Sequence, residues 1–450
     1  MRTRLLVIAC LVVVSGGAAG CSSGSGVPSS SVRASVASTA STASTASATG
    51  TSVSAAPGAP TVSSASAPPA SATPGSSPGC SGSQTTSSFE PGALTGLEFG
   101  SVADGWAVGQ DEILATSDGG AHWRQQLAGQ LNLTSVDFIS AADGWAVGTT
   151  TLLATTDGGA HWAKLPEPCA LIRSVHFISP STGFAIAGGS QIAGPGPASP
   201  IHGGVVLTSS DGGRSWRAVA APANSQTVCF NDSRDGWVGA GGQLYRTSDG
   251  GRHWMVLTSS AGAIASIGAE MTVQCAGPDA AWALRLGPGA AMSQEPHVGF
   301  HADLAGAQAL FAEHYFQTPG ATPTAQAPGS YAGPYSALSP SAAVFIDWCA
   351  ACGDGTAPWD LATNSGATLT REGDVGDLTE PQAASFLSPE VGWVAGTFTT
   401  FKPPDTFRQQ QRIVVTTDGG RSWQVQYAGP WRVSLPFSCC YLGLNDSAGR

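Results

Sequence analysis

From residue 94 onward the chain alternates short apolar runs with polar turns, and the runs come in sets. A set opens on a run such as Ser135-Val136-Asp137-Phe138-Ile139 or Ser174-Val175-His176-Phe177-Ile178, apolar at alternate positions. The second run begins with glycine and an aromatic: Gly105-Trp106-Ala107-Val108, Gly144-Trp145-Ala146-Val147, Gly183-Phe184-Ala185-Ile186, Gly236-Trp237-Val238 and Gly392-Trp393-Val394. The third leads into a polar turn, as Ile113-Leu114-Ala115, Leu152-Leu153-Ala154, Val205-Val206-Leu207, Leu244-Tyr245 and Ile413-Val414-Val415 do. Runs this short, rich in β-branched and aromatic residues, predict strands rather than helices.

The polar turn is itself a repeat. Thr116-Ser117-Asp118-Gly119-Gly120-Ala121-His122-Trp123 returns at 155–162, 209–216, 247–254 and 416–423, always as Ser/Thr-x-Asp-Gly-Gly-x-x-Trp. The two glycines suit a turn with positive φ, and the Asp carboxylate can accept the turn's N–H groups. The Trp then opens a fourth strand. Four antiparallel strands repeating at roughly 40 residues predict a β-propeller blade. Two further units are degenerate. Trp282 precedes Asp303, and Val344 takes the aromatic's place ahead of Asn364-Ser365-Gly366. With turn centres at 118, 157, 211, 249, 303, 364 and 418, the expectation is an all-β, seven-bladed propeller of four-stranded antiparallel blades. Asp118, Asp157, Asp211, Asp249 and Asp418 are expected to be structural.

Spacing places the inserted length. From the second-run aromatic to the turn Asp, the first, second and fourth units share one short spacing, and the others are longer. The extra residues fall between second and third strands, or after the fourth, so they belong on the rim opposite the turns. Long loops on a rigid scaffold carry function. Tyr331, Tyr335, Trp348, Trp359, Phe398, Phe401 and Phe407 fall there and are the expected binding anchors.

Ahead of the propeller lies a different kind of chain. Met1-Arg2-Thr3-Arg4 is a basic head on an apolar run too short to span a bilayer, and small residues lead to Cys21. Residues 1–20 read as a lipoprotein signal peptide, with Cys21 the lipidated residue. Residues 21–80, nearly all Ser, Ala, Thr, Gly and Pro, read as a disordered tether, leaving 81–450 as the propeller. The expected location is lipid-anchored on the outer face of the cytoplasmic membrane or cell surface.

Charge removes one class of partner. Only Arg2, Arg4 and Arg33 of the 19 basic residues lie in the first 80, which hold none of the 30 acids. So acidic a domain is a poor nucleic-acid binder, and membrane contact is expected through the lipid alone. The chain has 10 cysteines, which suits an exported protein. Cys349-Ala350-Ala351-Cys352 reads as a local bridge, and Cys80 with Cys439 or Cys440 as a covalent clasp across the ring closure. No cofactor, metal site or nucleotide fingerprint is legible, and a monomer is expected.

Gly-Trp-Ala-Val-Gly followed by Asp-Gly-Gly-x-x-Trp resembles the Asp-box, or bacterial neuraminidase repeat, as arranged in the photosystem II stability/assembly factor family. That family stands within a group that includes sialidases and sortilin-like receptors. The resemblance covers about residues 89–430 and implies a protein-binding propeller. The expected function is a non-enzymatic module for an unknown protein or cell-envelope glycan. The alternative is an extracellular sialidase-like hydrolase, for which Arg173, Arg285, Arg408 and Arg432 could supply a carboxylate clamp. A carboxylate pair would instead draw on Asp347, Asp354 and Asp360.

Overall fold

The computed structural model describes residues 92–167, 172–191, 201–257, 270–277, 279–286, 297–303, 307–313, 333–346, 357–402 and 406–434. These residues build antiparallel sheets whose strands, with few exceptions, follow one another in chain order. The first sheet holds β1 (Leu94–Phe99), β2 (Gly105–Gly109), β3 (Glu112–Thr116) and β4 (Arg124–Ala128). The second holds β5 (Leu133–Phe138), β6 (Gly144–Gly148), β7 (Thr151–Thr155) and β8 (Ala163–Lys164). In the third are β9 (Ile172–Phe177), β10 (Gly183–Gln191), β11 (Ile201–Ser209) and β12 (Arg217–Ala218). The fourth has β13 (Ser225–Phe230), β14 (Gly236–Ala240), β15 (Gln243–Thr247) and β16 (Met255–Val256). The fifth has β17 (Glu270–Cys275), β18 (Ala281–Leu286), β19 (His297–Ala302) and β20 (Ala307–Glu313). The sixth has β21 (Tyr335–Ser339), β22 (Ala342–Ile346), β23 (Pro358–Thr363) and β24 (Thr368–Asp374). The last comprises β25 (Glu380–Phe386), β26 (Gly392–Lys402), β27 (Thr406–Thr416) and β28 (Gln424–Ala428), with β29 (Arg432–Ser434) added to β27. Six of these sheets are four-stranded and one is five-stranded.

The first strands meet in a ring. β1 packs on β5, β5 on β9, β9 on β13, β13 on β17, β17 on β21, β21 on β25, and β25 back on β1. Each sheet is thus one spoke, with its first strand innermost. The chain is an all-β propeller of four-stranded antiparallel blades. β1 and β28 each lie in their own sheet, so among the described residues no strand is exchanged between the first and last sheets. The closure is made by side chains: Leu94 N–H donates to Gln411 Oε1 at 3.1 Å, and the Tyr427 hydroxyl to Glu112 Oε1 at 2.9 Å. Cys80, Cys439 and Cys440 lie outside the described residues, as do Cys349 and Cys352.

Aromatic stacking explains why the second strand must begin with Gly and an aromatic. The aromatic of one sheet lies flat on the phenyl ring that ends the next sheet's first strand. Trp106 stacks on Phe138, Trp145 on Phe177, Phe184 on Phe230 and Trp393 on Phe99, each with centroids 3.6 Å apart. The turn Trp then meets the same phenyl edge-on, as Trp123 does Phe99 at 5.8 Å. The preceding glycine is needed because a Cβ at Gly105 or Gly144 would collide with Phe99 or Phe138. Edge and stacked pairs add about 0.5–1.5 kcal/mol each beyond the burial of their area.

The sixth sheet keeps this arrangement by another route. Val344 leaves no ring on the second strand, and Trp359 on β23 supplies one, fully buried and 5.6 Å from Phe386. Its indole lies so close to Gly420 that a Cβ there would strike it.

Candidate binding surface

The two rims of the propeller are built differently. On one rim each polar turn is closed by its own side chains. Thr116 Oγ1 donates to Asp118 Oδ1 at 2.9 Å and accepts the Gly120 N–H at 2.9 Å, while Oδ1 accepts the His122 N–H at 2.9 Å. His122 Nδ1 lies 2.7 Å from Oδ2. Both glycines of all five turns lie at φ between 70 and 90°, which fits the expected turn chemistry. At 157 and 249 the geometry repeats with His161 and His253, and at 211 and 418 the hydroxyls of Ser215 and Ser422 take the histidine's place. The His122 N–H, then its ring, then the Thr116 hydroxyl hold the Asp118 carboxyl at about 2, and His161 and Thr155 do the same for Asp157. These carboxylates serve the turn.

The turn is also tied to the loop between the first two strands. Gly119 N–H donates to Ala103 O at 2.8 Å, Gly158 to Ala142 O at 2.9 Å, Gly212 to Ser181 O at 2.9 Å and Gly419 to Glu390 O at 3.0 Å. The degenerate turn at 364–366 keeps the contact through Ser365 N–H on Ser341 O at 3.1 Å, with Asn364 and Ser365 themselves at positive φ. Both kinds of turn therefore share one rim, and the loops between second and third strands leave from the other.

That second rim carries the long hairpins. β10–β11 and β26–β27 reach past their sheets; β26 and β27 are 11 residues each and stay paired from Gly392↔Thr416 to Lys402↔Thr406. β29 pairs with the outer half of β27, through Gln409↔Arg432, Arg408↔Val433 and Phe407↔Ser434. The result is a small three-stranded platform raised above the rim. On it the Arg412 guanidinium lies 3.7 Å over the Phe398 ring and 6.0 Å from that of Trp431. Phe398 and Trp431 meet edge-on at 6.1 Å. Arg412 is held by Gln410 Oε1 at 3.0 Å and by Asp377, whose Oδ1 lies 3.3 Å away. Trp431, beside this anchored cation, is 46% exposed, and Val433, paired with Arg408, is 62% exposed.

The expected anchors separate on this evidence. Phe398 belongs to the platform. Phe401 and Phe407 are paired across β26 and β27 near the hairpin's end. Tyr335 and Trp359 are not loop residues and cannot be anchors. Tyr335 is buried on β21, stacked on Phe345 at 5.5 Å, and Trp359 is the buried replacement for a missing ring. Burial lifts the Tyr335 phenol above its ordinary range. Tyr331 and Trp348 lie outside the described residues. Arg412, Trp431 and Val433 were not expected; the legible signal was an aromatic after Gly429-Pro430, beyond the last strand of the repeat.

The residues considered for hydrolysis have other partners or places. Asp360 is buried on β23, inside a sheet rather than at a cleft, and Asp347 and Asp354 lie outside the described residues. Arg173 Nε donates to Gly188 O at 3.3 Å, and Arg432 sits 3.6 Å from Asp111 Oδ2. Arg285 stands on β18 and Arg408 on β27.

Residues 87–218 match the family described as photosynthesis system II assembly factor YCF48. The fold is a BNR-type β-propeller. Among solved structures, YCF48 bound to D1 peptide is 16% identical, with 68% of this chain and 90% of that one covered at a TM-score of 0.45. The Niastella koreensis GH74 enzyme is 10% identical, with 74% and 66% covered at a TM-score of 0.50. The RRP9 WD40 repeats are 8% identical, with 68% and 87% covered at 0.49. No curated protein matches the chain. At its identity the GH74 likeness speaks to fold alone.

Proposed function

We propose that this protein is an exported, surface-tethered binding module whose seven-bladed, Asp-box propeller holds a protein ligand on the raised rim platform. The observation that carries the reading is the Phe398–Arg412–Trp431 stack. An exposed Trp whose position is fixed by a mostly buried cation, itself held by Asp377, offers a rigid apolar face. The family match over 87–218 is to assembly factors, which favours a polypeptide over a glycan as the ligand. Phe401 and Phe407, paired across β26 and β27, and Tyr331 and Trp348 remain candidate anchors.

Export has its own support. The Cys229–Cys275 disulfide joins two first strands, and such bonds persist in oxidising compartments. With the basic, apolar and small-residue order ending at Cys21, this favours a lipid-anchored protein held off the membrane by residues 21–80. Cys21→Ser should release the protein to the medium or leave an uncleaved precursor; normal processing and unaltered membrane retention would refute the anchor.

The binding reading is tested by capture from native envelope extract on immobilised protein. Trp431→Ala and Arg412→Gln should each lose the captured polypeptide while staying folded, with the larger fall in melting temperature for Arg412→Gln, whose mostly buried side chain is bonded to Gln410 and Asp377. Undiminished capture by both variants would refute the platform as the binding site.

A further inference from the structure

Every seam of the ring is fastened at one register position. The residue paired across the first two strands with the second strand's opening position reaches the first strand of the next sheet. Glu98, paired with Trp106, accepts the Phe138 N–H at 2.8 Å, and Asp137, paired with Trp145, accepts that of Phe177 at 2.6 Å. His176, paired with Phe184, holds the Phe230 carbonyl through Nε2 at 2.8 Å. Gln274 accepts the Ala337 N–H at 2.8 Å, Ser336 that of Phe386 at 3.0 Å, and Ser385 that of Phe99 at 2.9 Å. The reason is that the innermost strand of each sheet is an edge, and its unpaired backbone groups need partners.

The seam between the fourth and fifth sheets is different. Cys229, paired with Trp237, holds the latch position, and the residue it meets is Cys275, with Cα atoms 5.6 Å apart and the sulfurs bonded. Cys275 stands where Phe138, Phe177 and Phe230 stand in their own strands, so Trp237 finds no phenyl ring from that position. Its indole N–H is buried without an acceptor among the described residues. Trp106, Trp145 and Trp393 instead donate to the turn carbonyls of Gly158, Gly212 and Gly119 at 3.3, 3.1 and 3.2 Å. The fifth sheet has no Asp-Gly-Gly turn to offer one; Asp303-Leu304-Ala305 stands in its place.

We infer that the Cys229–Cys275 bond is the lock of this seam, a covalent substitute for the ring stack and turn hydrogen bond lost there, which makes the seam the redox-sensitive opening point of the ring. Reduction by a dithiol breaks the S–S bond and transfers two electrons and two protons, leaving two thiols and a cyclic disulfide of the reagent. A thiol is a weak hydrogen-bonding group, so Cys229 alone cannot latch as Ser385 does. The apolar packing of Trp237 and Leu244 with Met271 and Val273 stays, as do the Met271 N–H on Gln226 Oε1 at 2.8 Å and the Thr227 hydroxyl on Met271 O at 3.0 Å, but both hydrogen bonds lie at the strand's other end.

Amide hydrogen exchange on the full chain, resolved to peptides, tests this. Replacing both cysteines, Cys229→Ala with Cys275→Ala, should speed exchange in β13 and β17 by at least about tenfold while β1, β5 and β25 change little. If that variant does not fold, wild type reduced by a dithiol, with cleavage of this bond confirmed by peptide mapping, should give the same local loss. Cys229→Ser with Cys275→Phe rebuilds the chemistry of the other seams, and should recover protection and no longer respond to dithiol at β13 and β17. Exchange that is unchanged, or equally faster in all first strands, would overturn the inference.

Discussion

The described side chains of the two rims of this propeller do different things. On the turn rim, every Asp of the repeat has its carboxylate engaged by a backbone N–H and by a histidine or serine side chain. On the opposite rim the β26–β27 hairpin rises above the ring and lies beside an exposed Trp431 and Val433. A row of charged residues at regular spacing thus serves its own turns, and an irregular cluster outside the repeat carries exposed apolar side chains on the other rim. Repetition marks what every blade needs.

The largest effect expected belongs to the shared interior. Trp145→Ala removes a buried ring stacked on Phe177 and an N–H bonded to Gly212 O, and should cost about 3–5 kcal/mol by denaturant unfolding. A loss below about 1 kcal/mol would mean the seams are not held by these stacks. Next is the turn itself. Thr155 is buried, and Thr155→Val leaves the Gly159 N–H without its acceptor, at a cost of about 1–3 kcal/mol with no change in ligand capture. A parallel loss of capture would blur the division between the rims.

A smaller effect is expected with pH. Burial, then the charge of Asp137, pushes the Glu98 carboxyl well above its usual range against the opposing Phe138 N–H bond. His176 is also raised, since Asp137 and the Phe230 carbonyl outweigh the opposing effect of burial. Both groups bind protons more tightly folded than unfolded. Their contribution to stability is therefore present below the unfolded pKa of each and is lost as pH rises through the folded values. Glu98→Gln keeps an acceptor for Phe138 and removes the charge, so it should flatten this decline and stabilise the protein most at high pH. A variant that declines with pH as steeply as wild type would remove Glu98 from the account. The smallest effect should come from His161→Ala, whose ring is almost fully exposed; its melting temperature should fall by no more than a few degrees.

How much of this was legible in the sequence follows from the same contrast. The turn residues, the glycine–aromatic openings and the rim assignment could be read because each obeys the repeat. β1 begins and ends at Leu94 and Phe99, as the pattern of its set required. Trp359 and Tyr335 were misplaced because they break the period. Val344 gave no sign that its ring had moved to the third strand, and Tyr335 follows Gly333-Pro334, which reads as loop until the strand after it is seen. The Cys229–Cys275 pair was not legible either. Its members are 46 residues apart and meet only because ring closure sets two first strands side by side. The platform was half legible: Phe398 fell in a marked loop, whereas Trp431 reached it through β29, a strand outside the repeat.

The central claim, that the raised rim binds and the turn rim does not, is tested most directly by a matched pair of variants in one capture assay on envelope extract. One carries Trp431→Ala with Arg412→Gln; the other carries His122→Ala, His161→Ala and His253→Ala on the turn rim. The account predicts at least about a tenfold loss of captured polypeptide for the first and wild-type capture for the second, with both folded by circular dichroism. Capture lost in the second and kept in the first would contradict it.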